Sequence, residues 1–234
     1  MDYEQPHGTG KRPLSRTSAG MDDPYKRPRG DSVELLSNYN ENLMDTEDID
    51  RDHPLTREWE VDPYEDDPEL TTHYVEVYLT HINESICHML PRGRFLLWLK
   101  SCREKSLDDK MLLYCMLAMG CIFSNRTDKM ATLMRYSRVA RHALKQNKDT
   151  LTMQLAQSRI IMSLWYYTIG ALLKSWDCIG AAVRTVCGLG YNIESGSVIV
   201  DKHYPREYGL HPQALVECRR RTFWVAYLMD VSID

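Results

Sequence analysis

Asn-Gly and Asp-Gly dipeptides are absent from this sequence, and runs that alternate polar with β-branched residues are few. Tight hairpins and a half-buried sheet are therefore not expected. No Cys-x-x-Cys occurs among the cysteines at 87, 102, 115, 121, 178, 187 and 218. Structural metal sites draw ligands from short spacings, and the nearest approach here is His81 with Cys87-His88, so no metal site is assigned. The odd cysteine count and the lack of a secretory signal lead to the expectation of reduced, mostly buried thiols in an intracellular protein. There is no Gly-rich phosphate loop and no nucleophile with an evident His or Asp partner. The acid pair Asp108-Asp109 is followed by Lys110-Met111-Leu112, which leaves out the further carboxylate that an Asp-rich magnesium site on a helix face requires. No catalytic residue is assigned, and an all-α enzyme such as an isoprenoid synthase is disfavoured. The longest strongly apolar run, 160–173, has 14 residues, whereas about 20 are needed to span a bilayer. Phenylalanine is scarce, at 3 residues, while tyrosine (14) and methionine (12) carry the large apolar surface instead.

What is present is helical periodicity, and residues 155–193 form its centre. Leu155, Ile161, Leu164, Trp165, Thr168 and Leu172 share one helical face; Trp176, Ile179, Ala182, Val183, Val186 and Leu189 share another. The spacing predicts two antiparallel helices with a tight turn at Lys174-Ser175, and Gly188 and Gly190 stop the second. A further helix is expected over 69–89, with Leu70, Tyr74, Val77, Tyr78, Ile82 and Ile86 as its stripe; Pro68 suits its first turn and Pro91 ends it. Ser106 is the expected N-cap of the next, with Asp109 three residues on. Apolar residues nearly all round that helix imply a central, buried position. Over 130–146, Leu133, Tyr136, Ala140 and Leu144 face inward, and Arg135, Arg138, His142 and Lys145 form a basic stripe whose ordinary role is a solvated face. The fold class expected is all-α, an array of antiparallel helical hairpins.

Charge is unevenly distributed. Residues 1–30 hold six basic and four acidic side chains, residues 31–69 two and fifteen, and residues 70–234 twenty-one and fourteen. Residues 1–67 are read as a disordered arm before a mildly basic body at 68–234. Lys11, Arg12, Lys26, Arg27 and Arg29 form two clusters with the look of a bipartite nuclear import signal, although solvated charge in a tail is the blander reading. Residues 41–69 mix acid with Leu43, Met44, Ile49, Leu55, Trp59 and Tyr64. That alternation can serve as a transcriptional activation segment, although an acidic linker is the blander reading.

Residues 194–212 read as a surface loop with one β-like run at Val198-Ile199-Val200, and a last helix starts at about Pro212. Its run ECRRRTFWVAYLMD, residues 217–230, resembles the Arg-x-x-Trp-x-x-Tyr-x-x-Asp signature of the fungal-specific transcription factor domain. That domain is the middle homology region of fungal zinc-cluster regulators, and the hairpin, Gly-Tyr and loop at 155–193 resemble it as well. The resemblance spans about residues 68–234. It implies an all-α regulatory region, a nuclear location, and a part in DNA-templated transcription through regulation or homodimer support, with co-regulators or the transcription machinery as partners and no membrane. In the family, DNA is read by a separate module of six cysteines that binds zinc. The first cysteine here is Cys87, so no cofactor is expected in this chain and DNA would be reached only through that module. The family's Arg after the signature Asp is replaced by Val231, and the body is expected to be incomplete at its C-terminus.

The resemblance singles out Arg219, Arg220, Arg221, Trp224, Tyr227 and Asp230. Arg219, Trp224 and Asp230 are expected to form a charge-paired helix junction, with effector sensing as the alternative. Trp165, Tyr166, Tyr167 and Trp176 are read first as packing and second as a pocket lining. The competing reading is a helical scaffold without a DNA role, although no period of roughly 34 residues recurs. A reporter fused to residues 1–35 is expected to concentrate in the nucleus; a reporter that stays in the cytoplasm removes the import reading.

Overall fold

The computed structural model describes residues 54–147, 150–194 and 207–233. These form helices, with no strand among the described residues. In chain order they are α1 (Pro54–Glu58), α2 (Pro63–Asp66), α3 (Pro68–Tyr78) with a π-helical continuation Leu79–Cys87, and α4 (Arg92–Ser101). Then follow α5 (Leu107–Phe123), α6 (Lys129–Gln146), α7 (Met153–Thr168), α8 (Leu172–Gly188), a 3₁₀ turn Glu207–Gly209, and α9 (Pro212–Ile233).

Helix α5 is the centre. Ser106 Oγ accepts the Asp109 N–H at 3.1 Å, and the Asp109 carboxylate accepts the Ser106 N–H at 3.0 Å. This reciprocal capping box satisfies two donors that a helix start leaves open. Every residue from 111 to 121 is buried, as the all-round apolar pattern requires. α3, α6 and α7 pack around it. The approach of α3 is close: a Cβ on Gly120 would overlap the Tyr74 carbonyl oxygen. Only glycine lets the two backbones come this near.

The α3 stripe changes phase where the helix widens. Tyr74, Val75, Tyr78, Leu79, Ile82 and Cys87 are buried, whereas Ile86, which a continuous α-helix would place inward, is exposed. The i→i+5 winding of the π segment carries the apolar face one residue further on. Its end is fixed by His88 in the left-handed region (φ 47°) and by Asn83. The Asn83 amide donates to the Leu90 carbonyl and accepts the Leu90 N–H, both at 2.8 Å.

The α7–α8 hairpin is present, but its turn lies at Gly170-Ala171 rather than Lys174-Ser175. Gly170 has φ 79°, the Gly170 N–H meets the Tyr167 carbonyl at 3.1 Å, and the Ala171 N–H meets that of Tyr166 at 2.9 Å. This pair of bonds is a Schellman motif, which a glycine in the left-handed region allows. The same pair recurs after α8, where Gly190 has φ 75° and the Tyr191 N–H reaches the Val186 carbonyl at 2.9 Å. Leu172 thus opens the second helix instead of closing the first. Lys174 and Ser175 lie inside α8, and Ser175 is needed there. Ser163 Oγ donates to the Ser175 carbonyl and Ser175 Oγ to the Ser163 carbonyl, each at 2.9 Å and buried. This pair of hydrogen bonds fixes the register of α7 on α8 in a largely apolar seam.

The packed body begins before the expected boundary at 67/68. Leu55 and Trp59 are buried in the main core. From Pro54 onward the acidic segment is therefore docked through Leu55 and Trp59, with Glu60, Glu65, Asp66 and Asp67 left exposed, while Leu43, Met44 and Ile49 lie outside the described residues. On α6, His142 is buried at 2 % exposure and meets the Trp59 ring edge-on, with centroids 6.5 Å apart. It does not belong to the basic stripe, because α1 covers that turn of α6. Replacing Gly120 by alanine is expected to cost about 1–3 kcal/mol through backbone overlap. That loss outweighs the roughly 1 kcal/mol that alanine gains over glycine in a helix. Urea unfolding measures it, and a stabilised G120A would refute the close-approach account.

Candidate functional site

The three signature arginines sit on the first half of α9 and are sent to three different places. Consecutive helical residues point about 100° apart, so one triplet can hold three neighbours. Arg219 is half-buried; it pairs with Glu207 at 3.2 Å and lies over the Tyr191 ring, 5.6 Å from its centroid. Arg220 pairs with Glu194. Arg221 pairs with Glu217 one turn back at 2.7 Å and reaches the His88 carbonyl at 3.4 Å. The chain between α8 and α9 is thus gripped near both ends, at Tyr191 and Glu194 and again at Glu207. The arginine next to the π segment's end adds a contact across 133 positions of sequence.

Beneath the clasp lies a buried polar network. Tyr208 is fully enclosed between the Phe95 and Trp98 rings, at 5.3 and 5.2 Å. Its backbone is held in the left-handed region at φ 53°. Its hydroxyl donates to Gln157 Oε1 at 2.7 Å, and Gln157 Nε2 donates to Thr222 Oγ1 at 3.0 Å. Cys218 Sγ donates to the Met89 carbonyl at 3.2 Å. α7, α9 and the residues after the π segment therefore meet at satisfied polar atoms, with the α4 rings as one wall. For a bulky side chain, the left-handed conformation costs about 1–3 kcal/mol and persists only because the surroundings enforce it.

The second half of α9 is different. Trp224, Tyr227, Leu228 and Val231 are 46–59 % exposed, as are Leu172 (57 %) and Trp176 (53 %) on α8, and Leu173 reaches 82 %. α8 and α9 pack together, and Asp230 shares with Trp176, Asp177, Gly180, Val183 and Arg184 a groove of about 240 Å³. The expected junction of Arg219, Trp224 and Asp230 is therefore not formed. Arg219 faces the inter-helix chain, Trp224 faces solvent, and Asp230 borders α8.

The four hairpin aromatics also part company. Trp165 is fully buried. Tyr166 is half-buried with Lys174 over its ring, and burial pushes its phenol above the usual range. Tyr167 is exposed, and only Trp176 lines the groove. Three consecutive residues on a helix cannot share one pocket wall. Lys11, Arg12, Lys26, Arg27 and Arg29 lie outside the described residues.

Burial pushes the thiols of Cys87, Cys121 and Cys218 up to about 12 and that of Cys178 to about 11, so these side chains are thiols and not thiolate nucleophiles. Among the described residues no group of three or more His, Cys, Asp or Glu side chains is placed to hold a metal ion. No helix among them is long and apolar enough to cross a membrane. Sequence reasoning missed Glu194, Glu207, Tyr191, Tyr208 and Gln157. The first four lie in or beside a stretch without period, which gave no signal.

A family model described as the fungal specific transcription factor domain matches residues 75–233. No curated protein and no solved structure matches the chain.

Burial raises the pKa of Glu207 above the 4.5 of a free glutamate, with Arg219 opposing the shift. A raised carboxyl pKa stabilises the fold below the unfolded value, and this contribution is lost as pH rises through the folded value. Glu207→Gln is therefore expected to gain stability relative to wild type between pH 4.5 and neutrality, read by urea unfolding at several pH values. A difference that does not change with pH would contradict the burial of this carboxyl.

Proposed function

Since this chain belongs to the family of the fungal specific transcription factor domain, we propose that its helical body is the regulatory region of a nuclear zinc-cluster regulator that works through protein contacts. On this reading base recognition belongs to a separate zinc module. The body supplies a contact surface, either for a second copy or for a co-regulator. The observation that supports it is the set of exposed apolar side chains on two helices that pack together, Leu172, Leu173 and Trp176 on α8 and Trp224, Tyr227, Leu228 and Val231 on α9. Exposed apolar residues scattered singly are ordinary, whereas four on one helix within eight positions, two of them aromatic and in ring contact, suit an interaction surface. Tryptophan and tyrosine suit such a surface because each offers a large rigid area at little entropic cost. The signature thereby divides into two parts. Arg219, Arg220 and Arg221 hold the fold, and Trp224 and Tyr227 are offered to a partner.

The test is the double substitution Trp224→Glu and Leu228→Glu in the full chain fused to a heterologous DNA-binding domain. Both positions are solvent-facing, so folding stability is expected to move by no more than about 0.5 kcal/mol per site. Reporter transcription is expected to change several-fold. Unchanged transcription and unchanged self-association in a folded variant would exclude this surface.

A further inference from the structure

The segment from Pro54 to Asp67 lies wholly before the matched family residues, which start at 75, yet it is bound by the body like a ligand. α1 packs on α6 and α2 on α5. Leu55 and Trp59, one helical turn apart, are its anchors at 9 % and 7 % exposure. The polar contacts run in one direction, with the donors on the body and the acceptors on the segment. Tyr114 Oη on α5 donates to the carbonyls of Glu58 and Val61 at 2.9 and 3.2 Å. Lys110 Nζ donates to the Glu60 carbonyl at 2.6 Å. Arg135 on α6 pairs with Glu58 and, at 3.5 Å, with Asp66.

Lys105 is the centre of this recognition. Its side chain has no exposed surface, and its ammonium lies 2.8 Å from the Asp62 carboxylate and 2.8 Å from the Cys102 carbonyl. The Tyr64 and Trp98 rings flank it at 5.1 and 5.8 Å. A buried ammonium needs a carboxylate opposite it, and here the carboxylate comes from the segment. The other Asp62 oxygen caps α2 by accepting the Tyr64 N–H at 2.9 Å. Backbone carbonyls, a carboxylate and an aromatic anchor are features that another peptide of the same class could present.

We propose that the groove formed by α5, α6 and the Lys105 turn is a receptor for acidic, aromatic peptides, and that residues 54–67 are its occupant in cis. The occupant's C-terminal end is fixed, since Thr71 Oγ1 donates to the Pro63 carbonyl at 2.6 Å and Asp67 caps α3. Release therefore frees the Leu55–Trp59 end first. A partner's acidic segment with a Leu and a Trp one turn apart competes for the groove, and displacement presents the chain's own Trp59 to solvent. The inference rests on the docking geometry and stands whether or not the α8–α9 field is an interface.

The test uses the full chain and a fluorescent peptide with the sequence of residues 54–67. In the chain bearing Trp59→Ala and Asp62→Asn the cis occupant is weakened. This variant is expected to bind the wild-type peptide at least about tenfold more tightly than the wild-type chain does, because the site is no longer occupied at high effective concentration. Binding is expected to weaken with added salt, and a peptide carrying the same two substitutions is expected not to bind. Equal binding by variant and wild-type chains, or equal binding of both peptides, overturns the proposal. Hydrogen exchange on the wild-type chain decides the question independently of how the variant folds. Opening of residues 55–66 while α5 stays protected supports a separable occupant; exchange of the segment only together with α5 overturns it.

Discussion

Helix α5 leaves no face free over residues 111–121, and the placement of the other elements follows from covering it. One side is closed by α3, whose backbone lies against Gly120. α6 and α7 close two more. The remaining turn, around Lys110 and Tyr114, is closed by the acidic segment of α1 and α2. A helix buried all round has no amphipathic direction of its own, so its neighbours must supply the specificity. They do so with a few polar joints in an apolar interior. These are the capping box at Ser106 and Asp109, the Lys105–Asp62 pair, and the Ser163–Ser175 exchange one layer out. Each satisfies groups that would be costly if buried alone, and each is compatible with a single register.

The second layer, α8 and α9, depends on a different device. α9 follows a connection that begins after Gly190, so a helix distant in sequence must be returned to α7 and α8. The arginine triplet does this by using the three directions of one helical turn. Gln157, Thr222, Cys218 and Tyr208 then knit α9 to α7 and to α4. In this structure the arginine run serves contacts within the chain. Its targets are the two ends of a loop and the end of the π segment, which belong to the fold's own connectivity.

The fold was legible wherever period and capping chemistry acted alone. α5 with its Ser106 cap, the α6 inward face at Leu133, Tyr136 and Ala140, the hairpin, and α9 from Pro212 all lie where the pattern puts them. Three features were not legible, each for a physical reason. The hairpin turn was displaced because Gly170 offered a left-handed cap four residues before Lys174, and apolar residues continue through it without a break. Ile86 was turned outward by the π winding, which no period of 3.6 anticipates. His142 was taken from the basic stripe by Trp59, a residue 83 positions away inside a segment whose charge suggested solvation. For the candidate site, the sequence singles out the arginines and Trp176 as residues, but not the neighbours that each of them meets. Sequence spacing gives directions around one helix and says nothing of which neighbour stands in each direction.

The charge pattern acquires a different meaning once the partners are known. The body's excess of basic side chains suggests a surface for phosphate, yet many of these cations are committed within the chain. Lys105 and Arg135 meet the acidic segment, Arg219 and Arg220 meet Glu207 and Glu194, and Arg126 is paired with Asp128. Two of these cations meet the acidic segment, and the other three are paired within the body itself. Beside its charged side chains, the described surface exposes aromatic and aliphatic area on α8 and α9.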